Sequence, residues 1–254
     1  MRVFIDKAVL FLHAFPLNSE MFCYQFETLE KEGVPYIAVD YPGFGNERNF
    51  PSDYSIETLT DVILGKIKDM GVKKVIPIGD SMGGYIIFDM WRRYPEVVDG
   101  MVFVSTRAEA DTEEAKQTRF ATIERIKKEG KGFLIEFMLE AQTSPATKKN
   151  PEKMEKLKCI MNQATEEGII KALKALAYRA DNTGLLPSID VPTIVVAGKD
   201  DEKVTPPEIV KKIADGIKDA QFIEVENSAH LPPFENPDRF NEILITFLKK
   251  ISQR

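Results

Sequence analysis

Histidine is nearly absent from this chain: His13 and His230 are the only two in 254 residues. Cysteine is as scarce, with Cys23 and Cys159 alone. Each scarcity excludes something. Two cysteines with no metal-ligand or redox spacing exclude a disulfide scaffold and read as free, partly buried thiols in a reducing compartment. Two histidines far apart in sequence would leave any zinc site dependent on carboxylates, and no metal cluster is visible. No apolar run approaches the roughly 18 residues that a membrane span needs, and no apolar stretch follows the N-terminal charges. An excess of positive charge is missing too. The balance is 34 basic against 40 acidic residues, a net of −6, which argues against a nucleic-acid surface. The expectation is a cytoplasmic protein with no nucleic-acid or membrane partner. Charged residues make up 29% of the chain, slightly above the usual value of about 25%, a hint of a thermophilic source.

What is present is alternation. Candidate strands lie at Lys7–Leu12, Pro35–Asp40, Lys74–Ile78, Gly100–Val104, Thr193–Ala197 and Gln221–Val225, most of them short apolar runs without polar alternation. Such runs suit parallel strands covered on both faces. Helix-like stretches separate them, at about Met21–Glu32, Ser55–Met70, Met82–Tyr94, Pro207–Ile217 and Pro237–Lys249. Repeated βαβ units predict an α/β fold with a mostly parallel, doubly wound sheet. The alternation breaks between Ser105 and Pro187. That charged span carries apolar residues at helical spacing, with Phe133, Ile135, Phe137 and Met138 followed by Met154, Leu157, Met161 and Ile169-Ile170. It reads as a helical cap over 106–186, inserted into a core of 1–105 and 187–254, with Pro145 and Pro151 marking a break between cap helices.

The segment Gly79-Asp80-Ser81-Met82-Gly83-Gly84 sits between a strand-like and a helix-like run. Strand, Gly-x-Ser-x-Gly, helix is the context a nucleophile elbow requires. The turn is too tight for a Cβ two residues before or after the serine. The helix that follows places N–H groups and partial positive charge where an oxyanion would form. A serine hydroxyl needs a base. His230, in the loop-like Asn227–Pro233, is the candidate, whereas His13 closes an apolar run and reads as a structural, hydrogen-bonded histidine. The base needs an acid. Asp200, Asp201 and Glu202 follow the apolar strand that ends at Gly198, and only one of the three can face His230. Gly43-Phe44-Gly45 opens like a dinucleotide fingerprint, but Arg48 stands where the third glycine belongs, so it reads as a turn.

Five motifs in this order resemble the α/β-hydrolase superfamily over nearly the whole chain. They are His13-Ala14-Phe15-Pro16, Asp40-Tyr41-Pro42-Gly43-Phe44-Gly45, the elbow, Gly198-x-x-Asp201, and Ala229-His230 before a Pro-rich stretch. The resemblance implies Ser81 as nucleophile, His230 as base, Asp201 as orienting acid, and the backbone N–H groups of Phe15 and Met82 as oxyanion hole. It departs from the family pattern at Ala14, where glycine is usual and where a positive φ would be costly. Thr205-Pro206 also lies one residue further from Gly198 than the pattern has it, which keeps Asp200 and Glu202 as alternatives to Asp201. The chain is most similar to serine carboxylesterases, which cleave esters through an acyl-enzyme without a cofactor. Enol-lactonases, carbon–carbon bond hydrolases and cofactor-free haloperoxidases or perhydrolases share the machinery. A dehalogenase would need aspartate at position 81. A non-catalytic ligand receptor on the same fold is the alternative of another class. The apolar cap, with Phe133, Phe137 and Met138 as pocket candidates, favours small to medium acyl groups over charged substrates. The expected partner is a small-molecule ester, for a monomer or homodimer.

Overall fold

The computed structural model describes residues 6–253. Six strands form one parallel sheet: β1 Lys7–Leu12, β2 Tyr36–Val39, β3 Lys74–Asp80, β4 Met101–Val104, β5 Thr193–Gly198 and β6 Gln221–Val225. Their order is β2-β1-β3-β4-β5-β6. Helices α1 Cys23–Glu32, α2 Ile56–Asp69 and α3 Met82–Arg93 alternate with the first strands, and α4–α8 lie between β4 and β5. These five helices span Glu113–Glu129, Gly132–Gln142, Pro145–Lys148, Pro151–Asn162 and Glu166–Ala177. Helices α9 Pro207–Gly216, α10 Pro232–Glu235 and α11 Pro237–Ser252 complete the chain. Among the described residues no helix is long and apolar enough to cross a membrane.

The apolar runs become central strands because both faces are covered. Val9, Leu10, Phe11 and Leu12 are fully buried, as are Val195, Val196 and Ala197. Strand β3 runs two residues past the predicted Ile78. Gly79 pairs in register with Phe103 and Asp80 with Val104, so the ladder reaches the last residue before the serine. Successive connections go one way from β1 to β2 and the other way from β3 onward. The order reverses between β1 and β3, and in an open α/β sheet a ligand crevice forms at such a switch, outside the carboxyl ends of the strands.

Helices α4–α8 reach over that edge of the sheet. Thr165 N donates to Gly43 O at 2.7 Å, just beyond β2. Gln142 Nε2 donates to Phe15 O at 2.8 Å, beyond β1, and His230 N donates to Gln142 O at 3.0 Å, beyond β6. Pro145 and Pro151 each take the first turn of a new helix, where the missing N–H costs nothing. Most of the Met/Phe stripe is packing: Ile135, Leu157, Met161 and Ile169 are buried in the common core. The thiols differ from one another. Cys23 is half-buried, but Cys159 is exposed rather than partly buried, and both are free.

Candidate active site

Ser81 directly follows β3 and has φ 51° and ψ −104°. A non-glycine residue at positive φ costs roughly 1–3 kcal/mol unless its surroundings hold it. Here they do. Ser81 N donates to Val104 O at 2.8 Å, and Ser81 O accepts from Gly84 N at 3.0 Å and Thr106 Oγ1 at 2.8 Å. The flanking glycines are required by space. A Cβ on Gly79 would collide with the backbone of Gly83, and one on Gly83 with the backbone of Leu12. Serine before a helix usually caps it through its oxygen. Ser81 makes no such bond to α3, so its hydroxyl is not committed to the helix it precedes.

His230 and Asp201 meet at the far end of the sheet. His230 Nδ1 lies 2.6 Å from Asp201 Oδ2, and both side chains are fully buried. Asp201 also accepts from Val204 N at 3.0 Å and Thr205 N at 3.1 Å. Burial by itself would raise the Asp201 pKa. The pull of His230 and these hydrogen bonds outweigh it and hold the carboxyl below its ordinary value. An ionised acceptor at Nδ1 puts the proton there and leaves the Nε2 lone pair outward. That Nε2 is buried and has no protein partner among the described residues. Of the neighbouring acids, Glu202 is exposed and Asp200 is half-buried, and neither meets the histidine. The acid facing His230 is Asp201.

His13 is fully engaged elsewhere. Its Nδ1 donates to Ala14 O at 3.0 Å and its Nε2 accepts from Tyr41 N at 3.1 Å. Its ring stacks on Tyr41 at 3.8 Å between centroids. Burial pushes its pKa down to about 4, so it is a neutral structural group at pH 7. Ala14 is not among the residues with positive φ, so alanine carries no backbone penalty in this loop.

Ser81, Phe15, Met82 and Met138 line one cavity of about 190 Å3. The other two pocket candidates lie outside it. Phe133 packs under the Arg125 guanidinium, 3.8 Å from the ring centroid, and Phe137 is 65% exposed. Helix α5 turns Met138 inward, and residues one and five positions before it therefore point elsewhere. The expectation of an uncharged pocket is also corrected: Arg107, Asp111, Arg119 and Arg179 are in the cavity wall.

Two residues that build the site carry no motif signal. Gln142 lines the cavity and joins the Phe15 loop to the His230 loop through its side chain and its carbonyl. Glu235, in α10, accepts from Ala229 N at 2.8 Å and Leu231 N at 3.2 Å, on either side of His230. Its other oxygen accepts from Ser144 N at 2.6 Å. One buried carboxylate thus ties the histidine loop to the α5–α6 junction. Its only trace in the sequence is an acid directly after the apolar run Leu231-Pro232-Pro233-Phe234.

Asp80 is a third buried acid, and neither of its oxygens has a protein partner among the described residues. Burial first, then repulsion from Asp201 and Glu235, raises its pKa well above 3.8. The folded protein therefore keeps a proton that the unfolded chain releases. The resulting stability is complete below pH 3.8 and is lost as pH rises toward the folded pKa, at about 1.4 kcal/mol per unit. Asp80→Asn removes this term. Urea titrations at a series of pH values above 3.8 are expected to show the variant gaining on the parent as pH rises. Parallel stability curves would mean that Asp80 is ionised in the fold.

The match to known proteins covers the core and the helices between its halves. A family model described as alpha/beta hydrolase fold matches residues 7–237. The AB hydrolase superfamily protein YisY of Bacillus subtilis (strain 168) is 28% identical over 249 residues, 95% of this chain and 91% of that protein. The structure of a thermophilic esterase from Thermogutta terrifontis, determined with malate bound, superposes with a TM-score of 0.92 at 34% identity, over 96% of this chain and 90% of that one. An esterase from Exiguobacterium antarcticum superposes with a TM-score of 0.86 at 25% identity, over 96% and 92%.

Proposed function

The chain belongs to the alpha/beta hydrolase fold family and is a hydrolase, and we propose that it cleaves carboxylic esters of short to medium acyl chains through a covalent acyl-enzyme on Ser81. The observation that carries this reading is the buried His230–Asp201 pair, whose outer nitrogen lacks a protein partner among the described residues. The only other histidine has both ring nitrogens bonded to backbone, so the chain holds one candidate base. Two esterases among its structural neighbours, at 34% and 25% identity, support the same assignment.

In this mechanism Ser81 Oγ attacks the ester carbonyl as His230 Nε2 takes its proton. Asp201 holds the imidazole in the required tautomer and stabilises the imidazolium. The backbone N–H groups of Phe15 and Met82 receive the oxyanion, and Met82 opens α3, whose positive end adds to the stabilisation. His230 then protonates the leaving alcohol. Water activated by the same nitrogen releases the acid and restores Ser81. No cofactor enters the cycle. A cavity of about 190 Å3 is below the roughly 300–1,000 Å3 of sites for drug-sized ligands, which favours the short end of the acyl range.

A p-nitrophenyl ester series from acetate to laurate tests the reading, together with mass-spectrometric mapping of a fluorophosphonate adduct. Stoichiometric labelling at Ser81 and a rate maximum at or below hexanoate are expected. Labelling without ester turnover would shift the assignment to a lactone or carbon–carbon substrate. Absence of both would leave a ligand-binding protein.

A further inference from the structure

The cavity that holds Ser81 is positively charged in a chain whose net charge is −6. Three arginines and one aspartate line it, and no other charged residue does. Asp111 is already saturated: Arg119 donates to it from Nε at 2.5 Å and from Nη2 at 3.3 Å, and Arg179 Nη1 also binds it. One carboxylate thus serves two guanidinium groups. Arg179 is the more deeply set, with a side chain 2% exposed and a buried Nε that lacks an acceptor among the described residues. Its guanidinium lies over the Tyr85 ring at 4.5 Å, on the first turn of α3 and so one helical turn from Ser81. Arg107, at the carboxyl end of β4, donates to Val204 O at 2.8 Å. It forms no ion pair with a carboxylate among the described residues.

Placing three guanidinium groups in one small cavity with a single carboxylate as counter-charge is costly. A bound carboxylate would supply the missing charge and match the planar fork of arginine. We propose that the ester substrate carries a carboxylate, as in a hemiester of a short dicarboxylic acid, and that Arg107 with the Arg119–Asp111–Arg179 cluster binds that group while Ser81 meets the ester carbonyl. The ester half rests on the reading above. The anion half rests on the arginines alone.

The test pairs substrates that differ by a carboxylate in place of a methyl: monomethyl succinate against methyl butyrate, and monomethyl glutarate against methyl valerate, followed by pH-stat. The hemiester is expected to have at least tenfold higher kcat/KM than its neutral partner, chiefly through KM, with the advantage shrinking as salt is raised. Arg107→Gln should cut that ratio at least tenfold, and Arg107→Lys should restore part of it. Calorimetry on Ser81→Ala, which cannot turn over, measures hemiester binding directly, and adding Arg107→Gln should weaken it at least tenfold. Neutral esters cleaved as well as hemiesters, with no hemiester binding to Ser81→Ala, would overturn the anion site and leave the esterase intact. Arginine-dependent binding without cleavage of any ester would keep the anion site and remove the esterase. Equal losses on both substrate classes in Arg107→Gln would reduce Arg107 to a brace for the Val204 carbonyl and overturn the proposal.

Discussion

Ser81→Ala is expected to lower kcat on a short-chain ester by on the order of 10^6-fold, the cost of deleting a serine nucleophile from an intact site. Stability should move little, by about 1 kcal/mol or less, as for a substitution that breaks no buried network. The strain at φ 51° belongs to any residue with a Cβ, and the bonds that hold the elbow use the backbone of Ser81. Its hydroxyl caps nothing, so removing it orphans no N–H. Kinetics on purified variant, with thermal melts in parallel, separates the two quantities. His230→Ala added to Ser81→Ala should cost almost nothing more, because a base without a nucleophile has no proton to take. Residual activity above a few per cent of the parent, with the fold intact, would place the nucleophile elsewhere.

The parts of the site that carry a local motif or a scarce residue type were the legible ones. Ser81 could be read because the elbow needs glycine at fixed offsets, and the collisions at Gly79 and Gly83 are the physical form of that requirement. His230 could be read because only one other histidine competes with it, and His13 sits at the end of a strand where both ring nitrogens find backbone partners. The strands were visible as apolar runs because the sheet is covered on both faces. The charged part of the cavity wall was not legible. Arg107 lies in the loop just after β4, Arg119 lies in α4, and Arg179 follows α8. No period or spacing connects the three, and only the packing of α4–α8 over the sheet brings them together. The same holds for Gln142 and Glu235, whose roles exist only once α5 and α10 meet the histidine loop. Phe137 shows the converse error. A large apolar side chain at helical spacing looked like a pocket residue, and it faces solvent at 65% exposure.

Asp201→Asn is expected to reduce kcat by about 10^4-fold while Asp200→Asn and Glu202→Gln stay within about twofold. The asymmetry follows from geometry. Asp201 alone reaches His230, at 2.6 Å from Nδ1, and its two oxygens also receive Val204 N and Thr205 N. Asparagine fits the same space with one oxygen and one NH2. If its oxygen takes the place at Val204 N, the NH2 faces both Thr205 N and Nδ1, and the imidazole must move its proton to Nε2, where it can no longer accept from serine. If the oxygen takes the place facing His230 and Thr205 N instead, the NH2 confronts the Val204 N–H, and the imidazolium formed during attack still lacks a countercharge. Either arrangement leaves the nucleophile in place. The variant should therefore still bind a hemiester as the parent does, yet label far more slowly with fluorophosphonate, since activation rather than access has been lost. A larger loss in Asp200→Asn than in Asp201→Asn would move the acid by one position and detach the buried 2.6 Å pair from the chemistry.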